Sequence, residues 1–200
     1  MTDYVDGYCE RVGPGLWGEP LNSLSNLAFL VAAVLVWRLA AGDRLGRLLA
    51  GLIGLVFVAS SVFHLVATRW AATADSVSIL VFMLVYAALF VHVFYRWRLA
   101  WLAAPAFLAL TVVTALLGGG LYLSALIGLG IFAALLAFER DAYWTHFAVA
   151  GAVFALSLSL RALDRDVCDY VAVGTHFLWH LLNGLVLYLV SRTLVLRNRP

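Results

Sequence analysis

Apolar runs of about twenty residues, separated by short polar connections, set the pattern of this chain. A helix needs about 20 apolar residues to cross a hydrocarbon layer ~30 Å thick. Seven stretches meet that requirement: 21–41, 46–67, 73–95, 99–117, 120–138, 143–160 and 171–193. The pattern predicts an all-α integral membrane protein, a seven-transmembrane helix bundle forming one domain over residues 1–200. Residues 1–20 form an acidic tail ahead of the first span. The triple glycine Gly118–Gly120 marks the turn between the fourth and fifth spans. The sequence has no internal repeat and no low-complexity stretch.

Composition narrows the class. A chain of 200 residues that is 64% hydrophobic and 12% charged, with a mean hydropathy of +0.99, does not read as a soluble domain. All 13 basic residues are arginine, and none forms a basic block interleaved with aromatics, so nucleic acid is excluded as a partner. The first 20 residues carry Asp3, Asp6, Glu10, Arg11 and Glu19 and no apolar core of a signal peptide. The tail is therefore expected to remain in the mature protein.

Arginine placement predicts direction. One set of connections holds Arg38, Arg44, Arg47, Arg96, Arg98, Arg140, Arg192, Arg197 and Arg199; the other, with the tail, holds Arg11, Arg69, Arg161 and Arg165. Nine against four predicts the N-terminus outside and the C-terminus in the cytoplasm. The all-arginine basic set and the short loops point to a bacterial cytoplasmic membrane.

Ionisable groups inside a span cost at least ~2.5–3.5 kcal/mol when unpaired, so each is a candidate for function. On this topology His64, near the end of the second span, shares its depth with His176 and His180 at the start of the seventh. His92 and His146 fall toward the opposite end and read as interfacial. His176 and His180 stand four apart, so both rings leave one helix face. With His64 they offer three ligands and an open fourth position, the pattern of a catalytic zinc. Such a pair also occurs as interhelical hydrogen-bonding histidines; the third histidine favours the metal. Asp75 lies at the same depth and can accept a proton from water at such a site. Ser60, one turn before His64, can hydrogen-bond a developing oxyanion, or serve as helix–helix glue. Trp17, Trp70 and Trp179 read as residues of the membrane-interface belt.

Cys9 in the tail and Cys168 in the loop before the last span both fall on the outer, oxidising side. A disulfide between them is permitted there, with two free thiols as the alternative. The acids Asp3, Asp6, Glu10 and Glu19 form an oxygen-rich tail that could hold Ca²⁺ or simply be solvated. Asn22, Ser25 and Asn26 fall near one helix face and are expected to point into the bundle.

At these positions the chain resembles the alkaline ceramidase family, within a wider group of seven-span hydrolases that includes the adiponectin and progestin receptors. The resemblance covers nearly the whole chain. It rests on Tyr8-Cys9-Glu10, Glu19-x-x-Asn22-x-x-Ser25-Asn26, Ser60-x-x-x-His64, Asp75 eleven residues on, Cys168, and His176-x-x-x-His180. It implies a zinc-dependent intramembrane amidase that cleaves a ceramide-like N-acyl lipid to a fatty acid and a sphingoid base or amine. In that role His64, His176 and His180 bind zinc, Asp75 orients or deprotonates the water, and Ser60 helps stabilise the oxyanion. The family also implies a tail calcium, with Glu10 and Glu19 as ligands, Tyr8 at a backbone-carbonyl position and Asp6 beside the place of a further acid. The chain departs there: Gly7 stands where that acid is expected, and no Asn lies between Glu10 and Glu19.

Two other classes remain open. A zinc-stabilised membrane receptor would keep the metal without the reaction. A channel or transporter is the weaker fit, because the polar groups cluster at one depth. Oligomeric state is not encoded in any of these signals.

Overall fold

The computed structural model describes residues 3–199, which form α1 (Pro20–Ser25), α2 (Leu27–Leu39), α3 (Arg44–Val66), α4 (Arg69–Tyr95), α5 (Ala103–Leu116), α6 (Gly120–Phe138), α7 (Trp144–Leu163) and α8 (His176–Asn198). Six helical segments are long and apolar enough to cross a membrane, α1 and α2 counting as one; α5 with the turn before it, Ala100–Leu116, is shorter. The chain is an all-helical integral membrane protein. Its exposed surface fits that medium: Leu30, Val31, Val34 and Leu35 of α2 and Leu48, Leu55 and Val58 of α3 face outward on successive turns. Such a continuous apolar face belongs against lipid rather than water.

The helix boundaries have local causes. Pro20 opens α1, where its missing N–H costs nothing. The Glu10 carboxylate reaches back to accept the N–H groups of Leu21 (2.7 Å) and Asn22 (2.8 Å), capping that helix. The expected first span is interrupted at Asn26, whose side-chain amide donates to the carbonyls of Asn22 (3.0 Å) and Ser23 (3.3 Å). Asp43 caps α3 by accepting from Leu45 N–H at 3.0 Å. The expected stretch 99–117 is a 3₁₀ turn (Ala100–Leu102) followed by α5, ended at the glycines Gly118 and Gly120, both at positive φ. The last helix starts five residues later than the expected 171 and runs to Asn198.

Consecutive helices pack against one another, and α8 closes the ring by lying against α2 and α7 while also touching α1, α3 and α4. It is the most enclosed helix. Close approach of α8 to α2 depends on Gly184, where a Cβ would meet Ala28 atoms at 2.9–3.1 Å. One half of the bundle is filled by an aromatic cluster in which Phe90 and Phe132 stack at 4.0 Å and Phe147 stands edge-on to Phe90 at 5.3 Å.

The tail folds over the other half. Val5 N–H donates to the Ala67 carbonyl (2.8 Å) and Gly15 N–H to Leu65 (2.7 Å), laying the tail on the end of α3. A disulfide joins Cys9 to Cys168, with a Cα–Cα distance of 5.3 Å, and so fastens the tail to the α7–α8 connection.

Candidate metal centre

Beneath that tail the three expected histidines converge. His64 ends α3, while His176 and His180 occupy the first two turns of α8. All three are buried, and one ligating nitrogen from each lies within 4.8 Å of the others. The ring centroids of His64 and His180 are 4.7 Å apart, and those of His176 and His180 are 4.6 Å apart. This cluster could hold a metal ion.

The hydrogen bonds around the rings suit ligation. The Ser25 hydroxyl donates to the Asn22 carbonyl at 2.9 Å, which leaves its oxygen to accept from His180 Nδ1–H at 2.7 Å. His64 Nδ1 lies 3.1 Å from a Glu19 carboxylate oxygen and 3.4 Å from Arg11 Nη2. In His180 the lone pair is thereby left on Nε2, the arrangement in which an outer partner fixes tautomer and orientation. His176 is held differently, by stacking against the Tyr8 ring at 3.8 Å.

The helix carrying two of the histidines is positioned by a residue whose role the sequence does not reveal. Asp164 is buried, and its Oδ1 accepts the N–H groups of Thr175 (2.6 Å) and His176 (2.8 Å). Its Oδ2 accepts Cys9 N–H at 3.1 Å. One carboxylate thus caps α8 and anchors the tail. Gly174 makes room for it: its φ is +62°, and a Cβ there would fall onto the Asp164 carboxylate.

Arg11 is the second such residue. Its guanidinium forms a buried ion pair with Glu19, donating from Nε at 2.6 Å, and a further bond to the Val5 carbonyl at 2.7 Å. It lies between the rings of Tyr8 (4.8 Å) and Phe63 (4.7 Å). Burial pushes the Glu19 carboxyl up, but the His64 hydrogen bond and the Arg11 charge outweigh it and hold the group below its ordinary range.

Ser60 is buried on α3 one turn before His64, and Asp75 faces it from α4. The Asp75 carboxylate stands outside the histidine group, and its Oδ1 has no hydrogen-bond partner among the described residues. Asn22, Ser25 and Asn26 are buried as expected, with Ser25 reaching His180.

Two expectations need correction. Asp6, Glu10, Glu19 and Tyr8 do not assemble as a calcium cage. Glu19 is engaged by Arg11 and His64, Glu10 caps α1, and Asp6 is exposed, its carbonyl accepting from Arg165 at 3.0 Å. Among the described residues the three histidines are the group of metal-binding side chains that converges. Trp179 is no belt residue either. It is buried against Phe154 (5.6 Å) and edge-on to Tyr122 (4.9 Å), with the Arg161 guanidinium 4.5 Å over the Tyr122 ring. Trp17 and Trp70 do face outward.

An apolar cavity begins one turn below the centre. Three of its lining residues mark that step: Val56 lies four before Ser60, Ile79 four after Asp75, and Asn183 three after His180. It continues toward Tyr86, Phe132 and Val190. No protein-family model and no curated protein matches the chain.

Proposed function

We propose that this protein is a zinc-dependent intramembrane amidase of the alkaline ceramidase type, hydrolysing a ceramide-like N-acyl lipid to a fatty acid and a sphingoid base or amine. The observation that carries the reading is a buried three-histidine cluster with Ser60 one turn below His64, Asp75 beside Ser60, and an apolar cavity that begins a further turn along both helices. The donor set fits zinc: three buried imidazoles leave a position for water or substrate. Zinc held there would supply Lewis acidity, lowering the pKa of water and polarising a carbonyl oxygen.

The chain's own residues do the rest. Asp75, with one oxygen unpaired, accepts the proton of the attacking water and later delivers it to the leaving amine. The Ser60 hydroxyl donates toward the carbonyl oxygen as charge develops on it. The cavity takes the acyl chain and excludes water from it. Arg11 and Glu19 keep His64 in register.

The same reading has α5 as a seventh span, the N-terminus outside and the C-terminus in the cytoplasm of a bacterial cell. The nine arginines on the connections away from the site, against four on its side, support that direction. The tail–loop disulfide is consistent with an oxidising outer compartment.

The test combines metal analysis of the purified protein with release of fatty acid from a panel of N-acyl lipids. About one zinc per chain with fatty-acid release, abolished by Asp75→Asn, is expected. Zinc without release from any N-acyl lipid favours a zinc-stabilised receptor instead, and absence of bound metal overturns both.

A further inference from the structure

The α2–α3 hairpin carries an arrangement that takes no part in the metal centre. Ala33, Val34, Trp37 and Arg38 recur on one face of α2, and Arg47, Ala50, Gly51 and Gly54 on one face of α3. The two helices pack together. Between these faces lies a groove open to the outside of the bundle, lined by Ala33, Val34, Ala50 and Gly51, with Trp37 and Arg38 toward the connection. Small side chains make it: a Cβ on Gly51 or on Gly54, one turn further along, would meet nothing within 4 Å. Val34 and Trp37 are exposed beside it, on the apolar face that the helices turn to lipid.

The end of the groove at the connection is cationic. The Arg47 guanidinium lies 5.3 Å over the Trp37 ring, which brings it to the same end as Arg38. Arg199 reaches this corner too, donating to the Leu39 carbonyl at 2.9 Å. The one acid of the connection, Asp43, is turned away from these charges. Its Oδ1 accepts Leu45 N–H (3.0 Å) and the Asn198 side-chain amide (3.2 Å), and its Oδ2 is buried. Elsewhere at this end of the bundle an arginine is neutralised within the chain, Arg197 by Asp141 at 3.4 Å. An apolar groove that ends in guanidinia is the complement of an anionic amphiphile. A second copy of the chain docked here about a two-fold axis would instead bring two sets of these charges together.

From this juxtaposition we infer that the α2–α3 groove binds one anionic glycerophospholipid of the adjoining leaflet, with its phosphate on Arg38 and Arg47 and one acyl chain laid along Ala33, Ala50 and Gly51. The site is separate from the metal centre, since Arg47 stands in the first turn of α3 and His64 in its last. It does not depend on the amidase reading. A lipid held across both helices ties α2 to α3 and acts as a ligand of the folded state.

Counting bound lipid tests this. Dioleoyl phosphatidylglycerol and dioleoyl phosphatidylcholine are titrated onto the delipidated full chain in neutral detergent, and the complexes are resolved by native mass spectrometry. The wild type is expected to hold one phosphatidylglycerol roughly tenfold more tightly than phosphatidylcholine. In the double variant Arg38→Gln, Arg47→Gln that ratio should fall to about twofold or less. Gly51→Leu places a side chain in the groove where no neighbouring atom opposes it, and should weaken phosphatidylglycerol about fivefold with the charges intact. Arg96→Gln with Arg98→Gln, just past the end of α4, removes the same charge from exposed positions and should keep the preference. Monodisperse elution and an unchanged helical circular dichroism spectrum establish that each variant is folded. Equal affinity for the two lipids in the wild type overturns the inference, as does a preference that survives in the Arg38, Arg47 double variant. An equal loss in the Arg96, Arg98 variant would mean a diffuse field and no site. Undiminished binding in Gly51→Leu would remove the acyl chain from the groove, and a dimer of the wild type that Gly51→Leu dissolves would assign the groove to a second copy; either result overturns the inference.

Discussion

The Glu19 carboxylate lies 3.1 Å from His64 Nδ1, and both side chains are buried. A carboxylate in that place is the kind of outer partner that holds the orientation of a ligating imidazole. It is tolerable in the interior because the Arg11 guanidinium compensates its charge from the other side. The tail therefore reaches the histidine cluster through two buried charges rather than by covering it passively.

Removing one member of this pair should be worse than removing both. Glu19→Leu leaves the Arg11 guanidinium buried without its counter-ion, and Arg11→Met leaves the carboxylate so; breaking a buried pair costs about 3–5 kcal/mol. The double variant should recover most of the stability lost, measured as melting temperature in detergent. Metal affinity should behave differently. It should drop about 10–100-fold whenever Glu19 is absent, including in the double variant, because the outer partner of His64 is gone. Equal metal affinity in the wild type and Glu19→Leu, by chelator competition, would remove Glu19 from the support of the site.

Asp164 should matter more than a loop acid. Asp164→Ala strips the acceptor from three backbone N–H groups, those of Thr175, His176 and Cys9. The expected loss is about 2–3 kcal/mol of stability. Gly174→Ala should cost a comparable amount, since it combines a left-handed φ with a collision against the same carboxylate. Asp166→Ala, on the exposed side of the turn, serves as the control and should shift the melting temperature little.

Reduction should loosen the tail. The Cys9–Cys168 bond ties segments 159 residues apart, and replacing both cysteines with serine should lower stability by about 2–4 kcal/mol. Limited proteolysis provides the sharper measure: cleavage between Met1 and Glu19 should accelerate in the serine variant and in wild type treated with reductant. Unchanged cleavage in both would mean that Asp164 and Arg11 alone hold the tail.

These residues also mark what is legible in the sequence. His176 and His180 can be read because a spacing of four places two rings on one helix face, and His64 because topology puts it at their depth. Asp164 cannot be told from Asp166 or Asp169 by any local pattern. Its role exists only once the α7–α8 turn brings the N–H groups of α8 onto it. Arg11 reads as one charge among the tail acids until the tail folds back and pairs it with Glu19. The same pairing occupies a carboxylate that resemblance assigns to calcium. Trp179 carries the ordinary signature of an interfacial tryptophan, and only the packing of α7 against α8 turns it inward. Asn183 follows the histidine spacing by a further turn, so its place on their face is readable, but the cavity beside it is not.

The metal itself should be visible as stability. A ligand that binds only the folded chain adds about 2.7 kcal/mol when present at a hundred times its dissociation constant. Chelation should therefore lower the melting temperature of the wild type, and zinc should restore it. Replacing His64, His176 and His180 together with alanine should abolish that response, because the open position cannot hold the ion alone. Asp75→Asn should behave oppositely. Its carboxylate lies outside the histidine group, so the zinc-dependent shift should persist while amide hydrolysis is lost. A triple-histidine variant that still responds to zinc as the wild type does would place the ion elsewhere in the bundle. An Asp75→Asn protein that loses the shift would make Asp75 a ligand rather than the proton acceptor.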